Sequence, residues 1–389
     1  MTKEEIDKIT KTILKELEKI NKDGFYSVLK ILEENADYFM IIGERSNGKT
    51  TIVLALIILV FIFSGYKYQG GIIRRWEEDF KGKNGNQMFE GIIALGWIEK
   101  WTNGKYNTVV YYGKRWFLAK YNENGEKLAQ CEDPFVQGFS ISNEEHYKST
   151  SYPNIKIILF DEFITRSYYL PDEFIKFQNL LSTIIRLRDD VKIFMCGNTV
   201  NQYCPYFKEM GITNIKTMKK GSIDVYTYGD STLKVAVEFS DFKGKKKKSN
   251  KYFAFNNPKL NMIKHGTWEI DIYPHLPYKY EKNDILYMYF INFEKEILQC
   301  EIIYSKENDC TFTFVHRKTT PIKDEGKYLV YQQDFDPRPN YRRRMTKVTS
   351  PIEKKITDFF VKEKVFYQDN DVGEIMRNYL MWSQKESMI

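Results

Sequence analysis

Apolar positions recur along this chain at two spacings, and the switches between them lay out its elements. Ile6, Ile9, Ile13, Leu14, Leu17 and Ile20 stand at helical spacing with Lys and Glu between them, which predicts an amphipathic helix over residues 3–21. Asn21-Lys22-Asp23-Gly24 breaks that pattern, and a second helical pattern runs to about Asn35. Such a stripe needs a surface, either the flank of its own domain or another subunit. Residues 38–42 then read as a short buried strand, and 52–63 as a helix apolar on every side. That run falls well short of the roughly twenty residues that span a bilayer. Further strands are predicted at 66–75, 155–160 and 191–196, with a helix over 171–187 and a hairpin of 222–228 with 233–239. Residues 106–142, with turn signals at Gly113 and at 122–125, read as a β-hairpin insertion.

Beyond Gly266 the pattern becomes strands at 268–273, 285–293, 297–304 and 311–316, followed by a helical tail through Ile356, Phe359, Phe360, Ile375, Tyr379 and Leu380. Strands alternating with helices predict an α/β domain with a mostly parallel sheet, and a run of strands followed by helices predicts a separate α+β domain. The expected division is a helical arm at 1–35, a first domain at 36–240, a linker at 241–265 and a second domain at 266–389. The run 243–251, KGKKKKSNK, is self-repelling, and reads as a solvated linker or a basic loop able to touch a polyanion. Arg342-Arg343-Arg344 adds a second basic cluster.

Composition narrows the class. A chain of 389 residues, 42% hydrophobic and 16% aromatic, has material for more than one packed core and is not a disordered polymer. A formal charge of +7 permits a polyanionic partner without demanding one. Five scattered cysteines fit free thiols in a reducing compartment, and no Cys/His set has zinc spacing. The first residues, MTKEEIDKITK, carry no secretory apolar region, and no membrane association is expected.

The chemistry begins where the first strand ends. Gly43-Glu44-Arg45-Ser46-Asn47-Gly48-Lys49-Thr50 matches the phosphate-loop pattern of two glycines followed by Lys and Ser/Thr, between a strand and a helix. Its backbone N–H groups, Arg45 through Thr51 included, can cradle phosphates at the positive end of the helix. Lys49 can reach the β- and γ-phosphates of ATP, and Thr50 can sit on Mg²⁺. The strand 155–160 delivers Asp161-Glu162, a carboxylate for the metal followed by one able to orient and deprotonate water. Asn198, at the tip of the next strand, reads either as a sensor able to touch both γ-phosphate and water or as part of a plain turn-forming Gly-Asn. Arg74-Arg75, ending the second strand, read either as ligand-edge cations or as a solvated strand end.

SYPNIKIILFDEF and NLLSTIIRLRDDVKIFMCGNTVNQYCPYF, together with the phosphate loop, resemble the genome-encapsidation ATPases of small short-tailed bacteriophages. The resemblance covers roughly residues 36–215 and is looser elsewhere. It implies an additional-strand, catalytic-glutamate P-loop fold related to large terminases and FtsK/HerA translocases. It also implies a C-terminal RNase H-like domain without nuclease activity. The implied machine is a ring, expected to be a pentamer, that sits on the portal of a prohead in the cytoplasm of an infected bacterium and drives double-stranded DNA inward. Whether a scaffold RNA takes part stays open.

By position, Lys49 and Thr50 match the nucleotide-binding pair, Asp161 the metal carboxylate, Glu162 the catalytic one and Asn198 the coupling motif. Arg186 matches a trans-acting arginine finger, with Arg188 kept beside it. Lys148 matches a basic residue acting on the neighbour's ATP. Trp76-Glu77 stands where the family would carry a basic residue, so no trans-acting role is expected there. The strand at 285–293 carries no carboxylate, so a two-metal nuclease is not expected there. Two rival readings are an ATPase that remodels protein or loads a helicase, and a non-enzymatic nucleic-acid-binding module.

Overall fold

The computed structural model describes residues 3–241, 262, 267–276 and 278–384. The chain forms two compact units, Met1–Glu269 and Ile270–Ile389. The predicted basic run at 243–251, and the linker at 241–265 apart from Asp241 and Met262, lie outside the described residues.

In the first unit, helices α1 (Lys3–Lys22) and α2 (Leu29–Leu32) precede strand β1 (Tyr38–Gly43), helix α3 (Lys49–Phe63) and strand β2 (Gln69–Arg74). Short helices α4 (Lys83–Gln87), α5 (Glu90–Ala94) and α6 (Trp97–Trp101) lead to β3 (Thr108–Tyr112), β4 (Arg115–Tyr121), β5 (Lys127–Gln130) and β6 (Val136–Ser140). Then come β7 (Ile155–Asp161), α7 (Glu173–Ile185), β8 (Lys192–Asn198), α8 (Pro205–Glu209), β9 (Ile223–Thr227) and β10 (Lys234–Phe239). One sheet orders them β3-β4-β6-β2-β7-β8-β1-β10-β9, with β5 beside β4. The six strands from β6 to β10 run parallel, and the flanking strands are antiparallel. The additional strand is β8, which stands between the phosphate-loop strand β1 and the acidic strand β7.

Strand alternation explains the three layers. Phe39 and Ile41, Ile157 and Leu159, and Phe194 and Cys196 face a core completed by α3 and by Ile13, Leu17 and Ile20 of α1. Met40 and Ile42, Ile158 and Phe160, and Ile193 and Met195 face the other way, onto Phe177, Leu180, Leu181 and Ile184 of α7 and onto Tyr206 and Phe207. The apolar stripe of α1 is thus spent on the domain's own flank. The apolar α3 has sheet on one side and α1 on the other, so an all-round hydrophobic surface suits it.

The insertion is more than a hairpin. Its last strand, β6, joins the parallel core beside β2, and the rest extends the sheet outward from it. The second helical pattern closes after one turn at Leu29–Leu32, because Phe25–Val28 instead turns to put Tyr26 and Val28 into the core.

The second unit contains β11 (Ile285–Phe293), β12 (Glu296–Ser305), β13 (Cys310–Arg317), β14 (Leu329–Gln332), β15 (Tyr341–Arg342), α9 (Pro351–Val361), β16 (Val365–Tyr367) and α10 (Asn370–Gln384). Its sheet is ordered β15-β14-β11-β12-β13-β16. The first three strands are antiparallel, while β14 and β15 follow parallel to β11, as expected of an RNase H-like sheet. Strand β16 is an addition at the far edge.

The strand expected at 268–273 is not one. Trp268 packs against Phe207 and Phe239, and Glu269 N–H donates to Thr199 O, so apolar character there serves docking instead of sheet pairing. The triple-arginine cluster is likewise drawn into structure. Arg342 pairs with Glu353 at 2.8 Å, and buried Arg344 donates to the carbonyl oxygens of Trp382 and Ser383.

A Cβ on Gly70 in β2 would stand 2.5 Å from Cγ2 of Ile57 in α3. Gly70→Val is therefore expected to cost about 1–3 kcal/mol in urea unfolding of the full chain. Gly91→Ala, where an added methyl meets open space, should be neutral or slightly stabilising in the same measurement.

Candidate functional site

The loop between β1 and α3 turns through two left-handed residues, Ser46 at φ 60° and Gly48 at φ 87°. Glycine carries no steric penalty at the second, which is where the helix begins. The turn leaves the N-terminal amides of α3 facing a cavity of about 170 Å³, lined by residues 46–51, 161, 162 and 196–198. Lys49 is only 5% exposed. Its ammonium donates to Glu44 O at 2.6 Å, Asn47 Oδ1 at 3.0 Å and Asn198 Oδ1 at 3.3 Å. These are neutral oxygens, which phosphate oxygens can replace with a stronger charge-assisted bond.

The opposite wall comes from the sheet. Gly43 pairs in register with Asn198, and Asp161 with Cys196, so the tips of β1, β8 and β7 lie side by side. Thr50 Oγ1 donates to Asp161 Oδ1 at 2.6 Å across this gap. Burial pushes the Asp161 carboxyl above its ordinary value, and the neighbouring Arg74 guanidinium pulls the other way. Arg74 donates through one terminal nitrogen to Asp161 Oδ2 at 2.6 Å and through the other to Glu162 Oε2 at 2.8 Å. Burial lowers the affinity of Arg74 for its proton, yet the two carboxylates outweigh it and raise the value. Its buried Nε has no hydrogen-bond partner.

A hydroxyl and a carboxylate this close form a hard-oxygen pair that suits Mg²⁺. When carried in with phosphates, Mg²⁺ needs only one or two carboxylates from the protein. Thr50 and Asp161 would hold it. Among the described residues no group of three or more His, Cys, Asp or Glu is placed to hold a metal ion without such help from phosphates.

Of the residues singled out in the sequence, Ser46, Asn47, Gly48, Lys49, Thr50, Thr51, Asp161, Glu162 and Asn198 line one cavity. Gly43, Arg45, Lys148 and Arg186 do not. Gly43 ends β1, and Arg45 turns to Glu269 at 3.4 Å. Arg186 donates to Thr150 O at 3.0 Å, two residues from Lys148, which pairs with Glu145 at 3.0 Å. Arg188 is engaged by five carbonyl oxygens, those of Tyr152, Pro153, Ile155, Ile184 and Ile185. It closes the end of α7 onto the start of β7. Arg186 stands beside that same start, and the seven residues of β7 separate it from Asp161 by about 20 Å. Sequence reasoning left Arg74 undecided because whether a strand-end arginine meets a carboxylate depends on the strand order, which puts β2 beside β7.

Against protein-family models, residues 20–254, more than half of the chain, match the podovirus DNA encapsidation protein (Gp16). The DNA packaging proteins of Bacillus phages PZA and phi29 are each similar at 28% identity over 191 residues, 48% of this chain and 50% of theirs. The chain thus spans about half the length of these relatives. Among solved structures, the Phi-28 gp11 DNA packaging motor is similar at 19% identity and a TM-score of 0.48, covering 92% of this chain and 96% of that one.

Lys49→Ala removes the ammonium at the centre of the loop. Affinity for a fluorescent ATP analogue should fall at least about 100-fold, roughly 2.7 kcal/mol, while the thermal unfolding profile stays that of a folded protein.

Proposed function

This chain belongs to the family of podovirus DNA encapsidation proteins, and from that premise we propose that it is an ATPase subunit of a ring that drives double-stranded DNA into a prohead. The observation that carries the reading is the Thr50–Asp161 contact at 2.6 Å, with Lys49, Glu162 and Asn198 lining the same cavity. That arrangement can grip a triphosphate, hold a cation beside it and present a second carboxylate for water. Bound Mg²⁺ would neutralise charge on the β- and γ-phosphates.

The protein's own part is positioning. Lys49 exchanges its loop oxygens for phosphate oxygens, and Asn198, already 3.3 Å from Lys49, orients toward the terminal phosphate. Glu162 is the base that takes a proton from the attacking water. With Arg74 at 2.8 Å its carboxylate is held by a guanidinium instead of the attacking water. Turnover therefore requires that contact to loosen. This describes a resting site poised behind an ion pair.

Arg186 lies a strand's length from its own cavity and cannot reach its own nucleotide. That placement supports a role on a neighbouring subunit's ATP, with Lys148 beside it. Arg188, spent on five carbonyls, is a structural clamp in this reading. A trans arginine can contribute several orders of magnitude in rate, so hydrolysis would depend on assembly, with a pentamer expected. The ring would work in the infected host on the portal of the prohead. Grip on DNA would fall to Lys and Arg contacting phosphates, making it salt-dependent and indifferent to sequence.

The second unit is proposed as a docking module that keeps a nuclease-like sheet without nuclease chemistry. Asn292 of β11 and Gln332 of β14 are register partners near the ends of adjacent parallel strands. Neutral amides stand there instead of the carboxylates that two metals require.

Glu162→Gln should bind ATP with near-normal affinity and release no phosphate above about one part in a thousand of the parent rate; retained turnover would remove Glu162 as the base. Arg186→Ala should be inert alone but recover phosphate release when mixed with Glu162→Gln subunits that supply Arg186. No recovery in a demonstrated mixed ring rules the residue out. Translocation of duplex DNA coupled to DNA-stimulated hydrolysis separates this reading from a protein remodeller.

A further inference from the structure

Glu162 has φ 59°, a left-handed backbone that a residue with a Cβ adopts only when its surroundings hold it there. The peptide on its far side is pinned by one side chain. Arg75, 6% exposed, donates through Nη1 to Glu162 O at 3.3 Å and through Nη2 to Phe163 O at 2.9 Å. The same guanidinium is fixed from behind by Glu173, at 2.8 Å through Nε and 2.9 Å through Nη2. Its flat face lies 5.0 Å from the Tyr169 ring centre. Glu173 is in turn held by the Tyr206 hydroxyl at 2.9 Å and by Leu170 N–H at 2.7 Å. On the other side of the turn, Phe163 N–H donates to Cys196 O of β8.

We infer that Arg75 is a positioning residue that acts on Glu162 through the backbone, holding its strained turn so that the carboxylate faces the nucleotide cavity. The inference rests on the role proposed for Glu162. The paired arginines then divide the task. Successive residues of an extended segment point to opposite faces, so Arg74 reaches the two carboxylates and Arg75 the two carbonyls behind them. A planar fork spreads its donors over three nitrogens and can span a carboxylate and two carbonyls on different sides of it; a lysine ammonium gathers its three donors at one nitrogen and cannot. Were the fork removed, the turn could relax toward an ordinary conformation, and the carboxylate would swing away from the water it must deprotonate. Nothing in this network touches the phosphate loop, so nucleotide affinity should be spared.

The test is steady-state ATP hydrolysis by the assembled full-length chain, with binding of a fluorescent ATP analogue and thermal unfolding measured in parallel. Arg75→Lys keeps the buried charge and should lower kcat by on the order of 100-fold, the effect of a small misplacement of a reacting group, with KM and analogue affinity within about threefold. Added to Glu162→Gln it should lower the residual rate no further. Parent-like kcat in Arg75→Lys, or an equal fall in kcat and affinity, would overturn the inference. Should that variant fail to fold, Tyr206→Phe, which loosens Glu173 by one hydrogen bond, should lower kcat alone, and an unchanged kcat there would overturn it equally. Turnover by Glu162→Gln itself would sink the base assignment instead, so the two failures are told apart.

Discussion

A carboxylate taken out of water must be compensated, and the first unit is arranged around that requirement at Asp161, of which only 5% remains exposed. Its two oxygens are met by Thr50 from the loop helix and by Arg74 from the neighbouring strand. Each partner reaches it only because of the sheet order. Strand β8 spaces the phosphate loop from the acid, and β2 lies directly against β7. A one-residue slip of β7 would turn Asp161 to the other face and leave both partners unpaired.

The same constraint explains the character of α3. Its first residues must reach Asp161 while its body fills the space between the sheet and α1, so polar groups are confined to residues 49–51 and everything after them is apolar. The amphipathic α1 follows from this, because it covers the outer side of α3 with Ile13, Leu17 and Ile20. An interior this dry strengthens every charge at the cavity rim. It also makes each one costly to leave unpaired, which is why both arginines after the core of β2 are tied to carboxylates.

The second unit is built around its own sheet, ordered β15-β14-β11-β12-β13-β16. Asn292 and Gln332 stand as register partners near the ends of its adjacent parallel strands β11 and β14. Arginines that look in sequence like a polyanion patch instead fasten α9 and α10 to the sheet, through Arg342 to Glu353 and Arg344 to the end of α10. Basic composition there reports packing as much as any partner.

What this sequence determined by itself was local and periodic. The phosphate loop, the apolar strand ending in Asp161-Glu162, the apolar helix after Lys49 and the alternation of the parallel strands are all written in consecutive residues, where spacing alone sets geometry. Tertiary structure alone decided the rest, since those outcomes depend on which strand lies beside which. That Arg74 meets Asp161 and Glu162, that Arg75 grips the carbonyls behind them, that Arg188 is consumed while Arg186 is carried a strand's length from its own cavity, and that Trp268 and Glu269 pack onto the rest of the first unit in place of starting a strand are facts of sheet order and burial. Residues 36 or 88 positions apart in the chain had no means of announcing those contacts, because charge and side-chain type are read locally whereas neighbours are assigned by the fold.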